Sequence, residues 1–172
     1  MAPKKLEIMY NLETNKSELL SFEMINNKNA PKLLERMFCH DSVIVDDIIY
    51  TGGGFSKKFD PREGRWSFLT DITTRAYYTA MSSFEQTIAC SGDYHTESAC
   101  QVYDIKNDKW HKIADLTIPT FGARSIENKT SIIVAGGRNF NTIQSYDKRN
   151  KTWSILDIRL PFMNSFSSKI WL

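Results

Sequence analysis

The chain repeats one short pattern three times, and this repetition constrains the fold more than any other feature. Each copy has an aromatic residue, an Asp, a polar turn and a Trp seven residues after the aromatic. The copies span residues 59–66, 103–110 and 146–153, and they end at Trp66, Trp110 and Trp153. The tryptophans lie 44 and 43 residues apart, and self-similarity at such a period is typical of stacked supersecondary units. The sequence therefore predicts a repeat architecture.

Each repeat contains short β-like segments bounded by turn residues. In the first repeat, segments 41–45 and 48–51 flank Asp46-Asp47, and Gly52-Gly53 follows. The third repeat has segments 122–126 and 131–135 around a turn predicted at 127–129, followed by Gly136-Gly137; the second repeat is weaker, with 87–90 ending in Ser91-Gly92. With the aromatic hairpin, each unit gives four strands in an antiparallel meander. Such small sheets bury their faces by stacking around an axis, which predicts a β-propeller.

The repeated residues have structural roles in this fold. Tyr103 and Tyr146 each lie opposite the following Trp across a hairpin, so we expect these pairs to pack between blades. Glycines at the ends of the second strands allow positive φ or close backbone approach. These structural repeat positions are Gly52, Gly53, Trp66, Gly92, Tyr103, Trp110, Gly136, Gly137, Tyr146 and Trp153.

The order of apolar strand, Gly-Gly, Tyr-Asp strand and Trp resembles the Kelch repeat over residues 36–157. The resemblance implies an all-β, Kelch-type β-propeller of four-stranded antiparallel blades. Kelch units often carry an Arg sixteen positions before the first glycine of the pair, which is replaced by Ser91 in the second unit. Arg36 and Arg75 occupy that position here, and Thr120 replaces it in the third unit.

The ends of the chain match only parts of a repeat. We predict a half repeat at 6–27, three complete repeats at 30–72, 73–116 and 117–157, and a second half repeat at 158–172. In the first half repeat Tyr10 aligns with Tyr103, and Ser17 stands where Trp is expected. Three interpretations are open: part of a longer propeller with neighbouring blades missing, a four-bladed ring closed by the two halves, or closure by oligomerisation.

Composition narrows the classes of partner and compartment. Lys and Arg total 22 against 20 for Asp and Glu, a balance that favours neither nucleic acid nor a membrane surface. No apolar segment follows the N-terminal Met1, so we predict no secretory signal and a cytoplasmic location. The cysteines Cys39, Cys90 and Cys100 lack zinc-site spacing, and the sequence suggests no metal and no cofactor.

The sequence gives no reason to expect an enzyme. Asp60, Asp104 and Asp147 recur at one repeat position, which is typical of turn residues rather than of a catalytic pair. The glycine runs are followed neither by a helical pattern nor by Lys-Ser or Lys-Thr, so they do not indicate a phosphate site.

Functional residues are expected where the repeats differ, in the loops between second and third strands and between blades. We predict that these inter-strand loops bind a protein partner. Arg75 is the leading residue, with an inter-blade hydrogen bond as its alternative role. The candidate partner-binding residues are Arg36, Arg75, Tyr94, His95, Arg138 and Asn139.

The leading functional hypothesis is a non-enzymatic protein-interaction module. The Kelch resemblance implies a relation to the substrate-recognition part of BTB-Kelch adaptors for ubiquitin ligases, although this sequence shows no BTB or BACK region. The alternatives are a small Kelch-like enzyme, carbohydrate-active or metal-dependent, and a cytoskeletal (actin) binding Kelch protein.

Overall fold

The structure is a computed structural model that describes residues 9–11, 16–18, 41–52, 56–70 and 77–163. The chain divides into two compact units, residues 1–32 and 33–172. Every regular element in the described part is a β-strand. None of its segments forms a helix long and apolar enough to cross a membrane.

The first unit contributes one short hairpin. Its strands are β1 (Met9–Asn11) and β2 (Lys16–Glu18), paired antiparallel. Tyr10 is paired with Ser17, as Tyr103 is paired with Trp110 in the second unit.

The described part of the second unit contains three four-stranded antiparallel sheets, or blades, each a simple meander. The first blade comprises β3 (Asp41–Val45), β4 (Ile48–Gly52), β5 (Lys57–Asp60) and β6 (Arg65–Phe68). The second comprises β7 (Ala80–Phe84), β8 (Thr87–Ser91), β9 (Cys100–Asp104) and β10 (Lys109–Lys112). The third comprises β11 (Arg124–Glu127), β12 (Ser131–Ala135), β13 (Thr142–Asp147) and β14 (Thr152–Arg159).

The blades stand side by side through their first strands. Strand β7 packs between β3 and β11, so the first strand of each blade is innermost and the fourth is outermost. This is the arrangement of consecutive propeller blades. The prediction of an all-β fold built from four-stranded antiparallel blades is confirmed.

Turn chemistry explains where the strands begin and end. Asp46 and Asp47 both have positive φ, 50° and 63°, as a two-residue hairpin turn compatible with strand twist requires. One predicted turn was placed wrongly, because Glu127 belongs to β11 and not to the turn at 127–129. The same strand, β11, also begins later than predicted, at Arg124, because Gly122 has a φ of 67° and is not extended.

The aromatic residues and tryptophans pair as the repeat predicts. Tyr103 and Trp110 are register partners with ring centroids 5.0 Å apart, and Tyr146 and Trp153 are partners at 5.3 Å. The corresponding distance from Phe59 to its Trp is 5.2 Å. The aromatic partners are buried, but the tryptophans are only half-buried. Their indole rings cover the outer part of the blade rather than its core.

Two apolar clusters fill the junctions between blades. The cluster between the first and second blades includes Val43, Tyr50, Met81 and Ile88. The cluster between the second and third blades is built from these residues: Ala80, Ala89, Cys100, Leu116, Ala123, Ile132, Val134 and Tyr146. Each blade therefore buries its faces against its neighbours.

Polar side chains also fix the junction between the second and third blades. Gln144 is 1% exposed, and its amide binds both backbone groups of Ile118 in the connecting segment, at 2.8 Å each. The buried Glu127 carboxylate lies 2.8 Å from Lys148 Nζ. The same ammonium group lies 4.8 Å from the ring of Phe84 in the second blade.

Candidate functional site

Four loops meet at one end of the second and third blades. They are the segment just before β7, the β8–β9 loop, the β10–β11 connection and the β12–β13 loop. Backbone hydrogen bonds join them: Tyr94 N donates to Tyr77 O at 2.9 Å, Gly122 N to Tyr78 O at 2.8 Å, and Arg138 N to Phe121 O at 2.9 Å. We call this the loop end; the turns within the β7–β8 and β9–β10 hairpins lie at the opposite end.

An aromatic cluster forms at the loop end from Tyr77, Tyr78, Tyr94, His95 and Phe121. Tyr94 is central: its ring lies 5.2 Å from Phe121 and 5.1 Å from His95, both edge-on. Tyr78 contacts Phe121 at 6.0 Å, and Tyr77 contacts His95 at 5.8 Å. Tilted and edge-on contacts at these distances are favourable for aromatic rings. The loops therefore present one continuous aromatic surface.

One side of the aromatic cluster is buried in the protein and the other side is exposed to solvent. Phe121 is 8% exposed and forms its floor, whereas Tyr94 is 48% exposed. The guanidinium carbon of Arg138 lies 5.6 Å from the Phe121 ring centroid, a cation–π distance. Arg138 is exposed, so the cluster carries a positive charge at its rim.

The Asp93 carboxylate holds the β8–β9 loop in place. This side chain is 2% exposed, and it accepts hydrogen bonds from the backbone N–H groups of His95 at 3.1 Å, Thr96 at 2.8 Å and Tyr77 at 3.4 Å. The Thr96 hydroxyl donates to it as well. A buried carboxylate with several donors is well satisfied, so Tyr94 and His95 are presented on a fixed loop.

Thr120 brings two glycine-containing loops together. A Cβ at Gly92 would lie 2.1 Å from Thr120 O, and one at Gly137 would lie 1.8 Å from Thr120 Oγ1. The Thr120 hydroxyl donates to Gly136 O at 3.3 Å. Close packing against the buried Thr120 therefore requires glycine at both positions.

The structure brings three of the sequence-predicted site residues together, namely Tyr94, His95 and Arg138. Asn139 follows Arg138 with a φ of 67°. Arg36 and Arg75 lie outside the described residues, as does Gly53.

Sequence reasoning missed Tyr77 and Tyr78. Both precede the second blade, and Tyr78 has a φ of 57°. The two consecutive tyrosines in a segment between blades could have indicated a binding surface. Their place in the site depends, however, on contacts with Tyr94 and Phe121, which are distant in sequence.

The repeated aspartates lie at the opposite end and organise the outer turns. Asp104 accepts from Asn107 N at 3.0 Å and from Asn107 Nδ2 at 2.7 Å, and these bonds hold its pKa below the ordinary value. Asp147 accepts from Asn150 N at 2.9 Å, which likewise lowers its pKa. Hydrogen bonds from Arg62 lower the pKa of Asp60 to about 2. These acids act as turn residues.

Among the residues that the structure describes, no group of three His, Cys, Asp or Glu side chains is placed to hold a metal ion.

Comparison with known proteins finds two relatives. Kelch-like protein 36 of Bos taurus is 22% identical over 147 residues, which cover 73% of this chain and 24% of the relative. A Kelch domain-containing protein of Saccharolobus solfataricus is 31% identical over 70 residues, covering 38% of this chain and 10% of the relative. Both relatives are Kelch proteins. The resemblance to Kelch-repeat proteins is thus confirmed, although no protein-family model matches the chain. The matches span about a quarter and a tenth of the relatives' lengths.

Proposed function

We propose that this chain is a non-enzymatic protein-interaction module that binds its partner through the aromatic cluster and Arg138. The observation that carries the proposal is the assembly of four loops from two adjacent blades into one surface. Loops on a rigid scaffold are where binding residues concentrate. Tyr and Arg, together with Trp, are also enriched among the residues that contribute most of the binding energy at protein–protein interfaces.

The geometry favours a protein partner because the exposed side chains are already positioned. Tyr94 is supported edge-on by Phe121 and His95, so it loses little side-chain entropy when a partner covers it. Stacking of Arg138 on Phe121 leaves its N–H groups available for carbonyl or carboxylate acceptors.

More specifically, we propose that the chain is related to the substrate-recognition part of Kelch adaptors for ubiquitin ligases. The support is the Kelch resemblance together with the surface at the loop end. The described blades would bind a client protein and so compete for it with ligase-linked adaptors.

Quantitative capture from cell lysate tests the proposal. The bait is the full chain in three forms: wild type, the double variant Tyr94→Ala/Arg138→Ala, and a control, Lys106→Ala/Lys109→Ala, at exposed positions of the opposite end. We expect a specific partner to be recovered with the wild type and the control, and at least about tenfold less with the cluster variant, as for loss of interface anchors. Equal recovery with all three baits would contradict the proposal.

A further inference from the structure

Strand β14 differs from the outermost strands of the other two blades. It spans Thr152–Arg159, eight residues, whereas β6 and β10 have four residues each. It is the last strand in the order of its sheet, so one of its edges is unpaired within the described part. A long edge strand is a template for pairing with another strand.

Strand β14 exposes two isoleucines at positions where the second blade has charged residues. Ile155 and Ile158 are 38% and 70% exposed. The residues 43 positions earlier are Lys112 and Asp115, which form an exposed ion pair at 3.3 Å. That pair stays exposed although the third blade packs beside the second. Exposed apolar side chains of this kind mark a contact surface.

A bulge interrupts the pairing of β14 with β13. Ile155 pairs with Gln144 and Arg159 with Thr142, so the three residues between Ile155 and Arg159 have no register partner on β13. Asp157 and Ile158, in this stretch, are both exposed.

The sequence of this stretch is complementary to itself. Residues 156–160 read Leu-Asp-Ile-Arg-Leu. If two copies run antiparallel with Ile158 opposite Ile158, each Asp157 lies opposite Arg159 of the other copy. Leu156 then lies opposite Leu160 of the other copy. Opposite charges and apolar side chains in directly facing positions stabilise antiparallel pairs.

We propose that this chain forms a two-fold symmetric dimer in which β14 pairs antiparallel with β14 of a second copy, centred on Ile158. The interface is isologous, as closed dimers require. It covers Ile158, which lies opposite the same residue of the other copy, and adds two ion pairs. Leu160 N donates to Asn141 O of the β12–β13 loop at 2.8 Å, so the interface would lie at the end of the third blade that carries Arg138, and the dimer would hold two aromatic clusters.

The test is the mass of the full chain in solution, measured by sedimentation equilibrium. We expect the wild type to shift from 19.9 kDa toward twice that mass over about 1 to 100 µM, since association follows mass action. Ile158→Lys should stay monomeric. Ile44→Lys, at an exposed isoleucine of the first blade, should dimerise like the wild type. A wild type that is monomeric throughout this range would overturn the proposal.

Substitutions that reverse the charges of Asp157 and Arg159 test whether β14 pairs with a second copy of the chain, and whether it does so in the proposed register. Asp157→Arg alone places Arg opposite Arg, and Arg159→Asp alone places Asp opposite Asp, so each variant should dimerise at least about tenfold more weakly. An equimolar mixture of the two variants restores both ion pairs and should restore the dimer. Unchanged dimerisation of either variant alone, or failure of the mixture to associate, would overturn the proposal. Circular dichroism melts verify that each variant is folded.

Discussion

The indole N–H of Trp153 donates a hydrogen bond to the carbonyl of Ala114, one blade earlier, at 2.8 Å. Trp110 makes the same contact with Thr70, at 3.1 Å. In each case the acceptor lies four residues after the Trp of the preceding blade. The repeated Trp therefore fastens the outer strands of its blade to the end of the blade before it.

Replacing Trp153 by Phe should remove this bond while retaining the ring against Tyr146. A single hydrogen bond contributes about 1 kcal/mol to stability, so we expect the free energy of unfolding in urea to fall by about that amount. Trp66→Phe is the matched control, because the described residues supply no such acceptor for its indole. Equal losses for the two variants would show that the bond does not fasten the blades.

Alanine substitutions at Gly92 and Gly64 distinguish the energetic cost of a steric clash from the cost of backbone strain. Their φ angles are 69° and 65°, but a Cβ at Gly64 meets nothing within 4 Å, whereas one at Gly92 meets Thr120 O at 2.1 Å. Gly64→Ala should cost about 1 kcal/mol from the left-handed conformation alone. Gly92→Ala should cost about 3 kcal/mol or more because the backbone has to move. Thermal melts of both variants would measure the difference, and similar melting temperatures would contradict it.

Gln144 should control the order of the segment that connects the second and third blades. Gln144→Met keeps the approximate volume but removes both hydrogen bonds to Ile118. We expect the Ile118 amide to exchange with solvent at least about tenfold faster, because each bond contributes roughly 1 kcal/mol. Gln86→Met is the control, since Gln86 makes an exposed side-chain bond to Asp46. An unchanged exchange rate at Ile118 would mean that packing alone orders this segment.

Ionisation of Glu127 should lower the free energy of unfolding as the pH rises, whereas most carboxylates have the opposite effect. Burial raises the pKa of Glu127 above its ordinary value of 4.5, and Lys148 only partly opposes this. The folded chain therefore holds the proton more tightly than the unfolded chain. The stabilisation is fully present below about pH 4.5 and is lost as pH rises through the folded pKa. Glu127→Gln cannot titrate, so wild type should lose stability relative to this variant from pH 4 upward in urea titrations. A gain with rising pH would contradict this assignment.

Removing the cation next to Glu127 should be more damaging than removing the acid. Lys148→Met leaves a carboxylate that is 1% exposed without its ion-pair partner. Breaking a buried pair from one side costs about 3 kcal/mol or more, whereas Glu127→Gln leaves a neutral side chain. We expect Lys148→Met to have a lower urea midpoint at neutral pH than both the wild type and Glu127→Gln. A Lys148→Met midpoint equal to that of the wild type would show that water already screens the pair.

The repeat predicted most of the fold because each blade uses the same local chemistry. The pairing of Tyr103 with Trp110 and the turn at Asp46-Asp47 follow from spacing and turn preference within a few residues. Glu127 was misplaced because Glu is rarely buried unless it is paired, and its burial depends on Lys148 and on Ser82 of the neighbouring blade. Local patterns carry no signal for such contacts.

The candidate site was predictable only in part, for the same reason. Loop variability identified Tyr94 and Arg138 one at a time. Their convergence on Phe121, and the contribution of Tyr78, depend on contacts between loops of different blades. A structural role for Gln144 was weakly indicated, because Gln101 occupies the equivalent position of the second blade. A Gln that recurs in two blades does not, however, identify Ile118 as its hydrogen-bond partner.

Site-specific photo-crosslinking tests the central claim most directly. A photoreactive phenylalanine analogue replaces Tyr94 at the aromatic cluster or, as the matched control, the exposed Lys106 at the opposite end. If the cluster is the partner-binding surface, irradiation in cell lysate should join a specific protein to the chain from position 94 and none from position 106. Crosslinking from position 106 with none from position 94 would contradict the account.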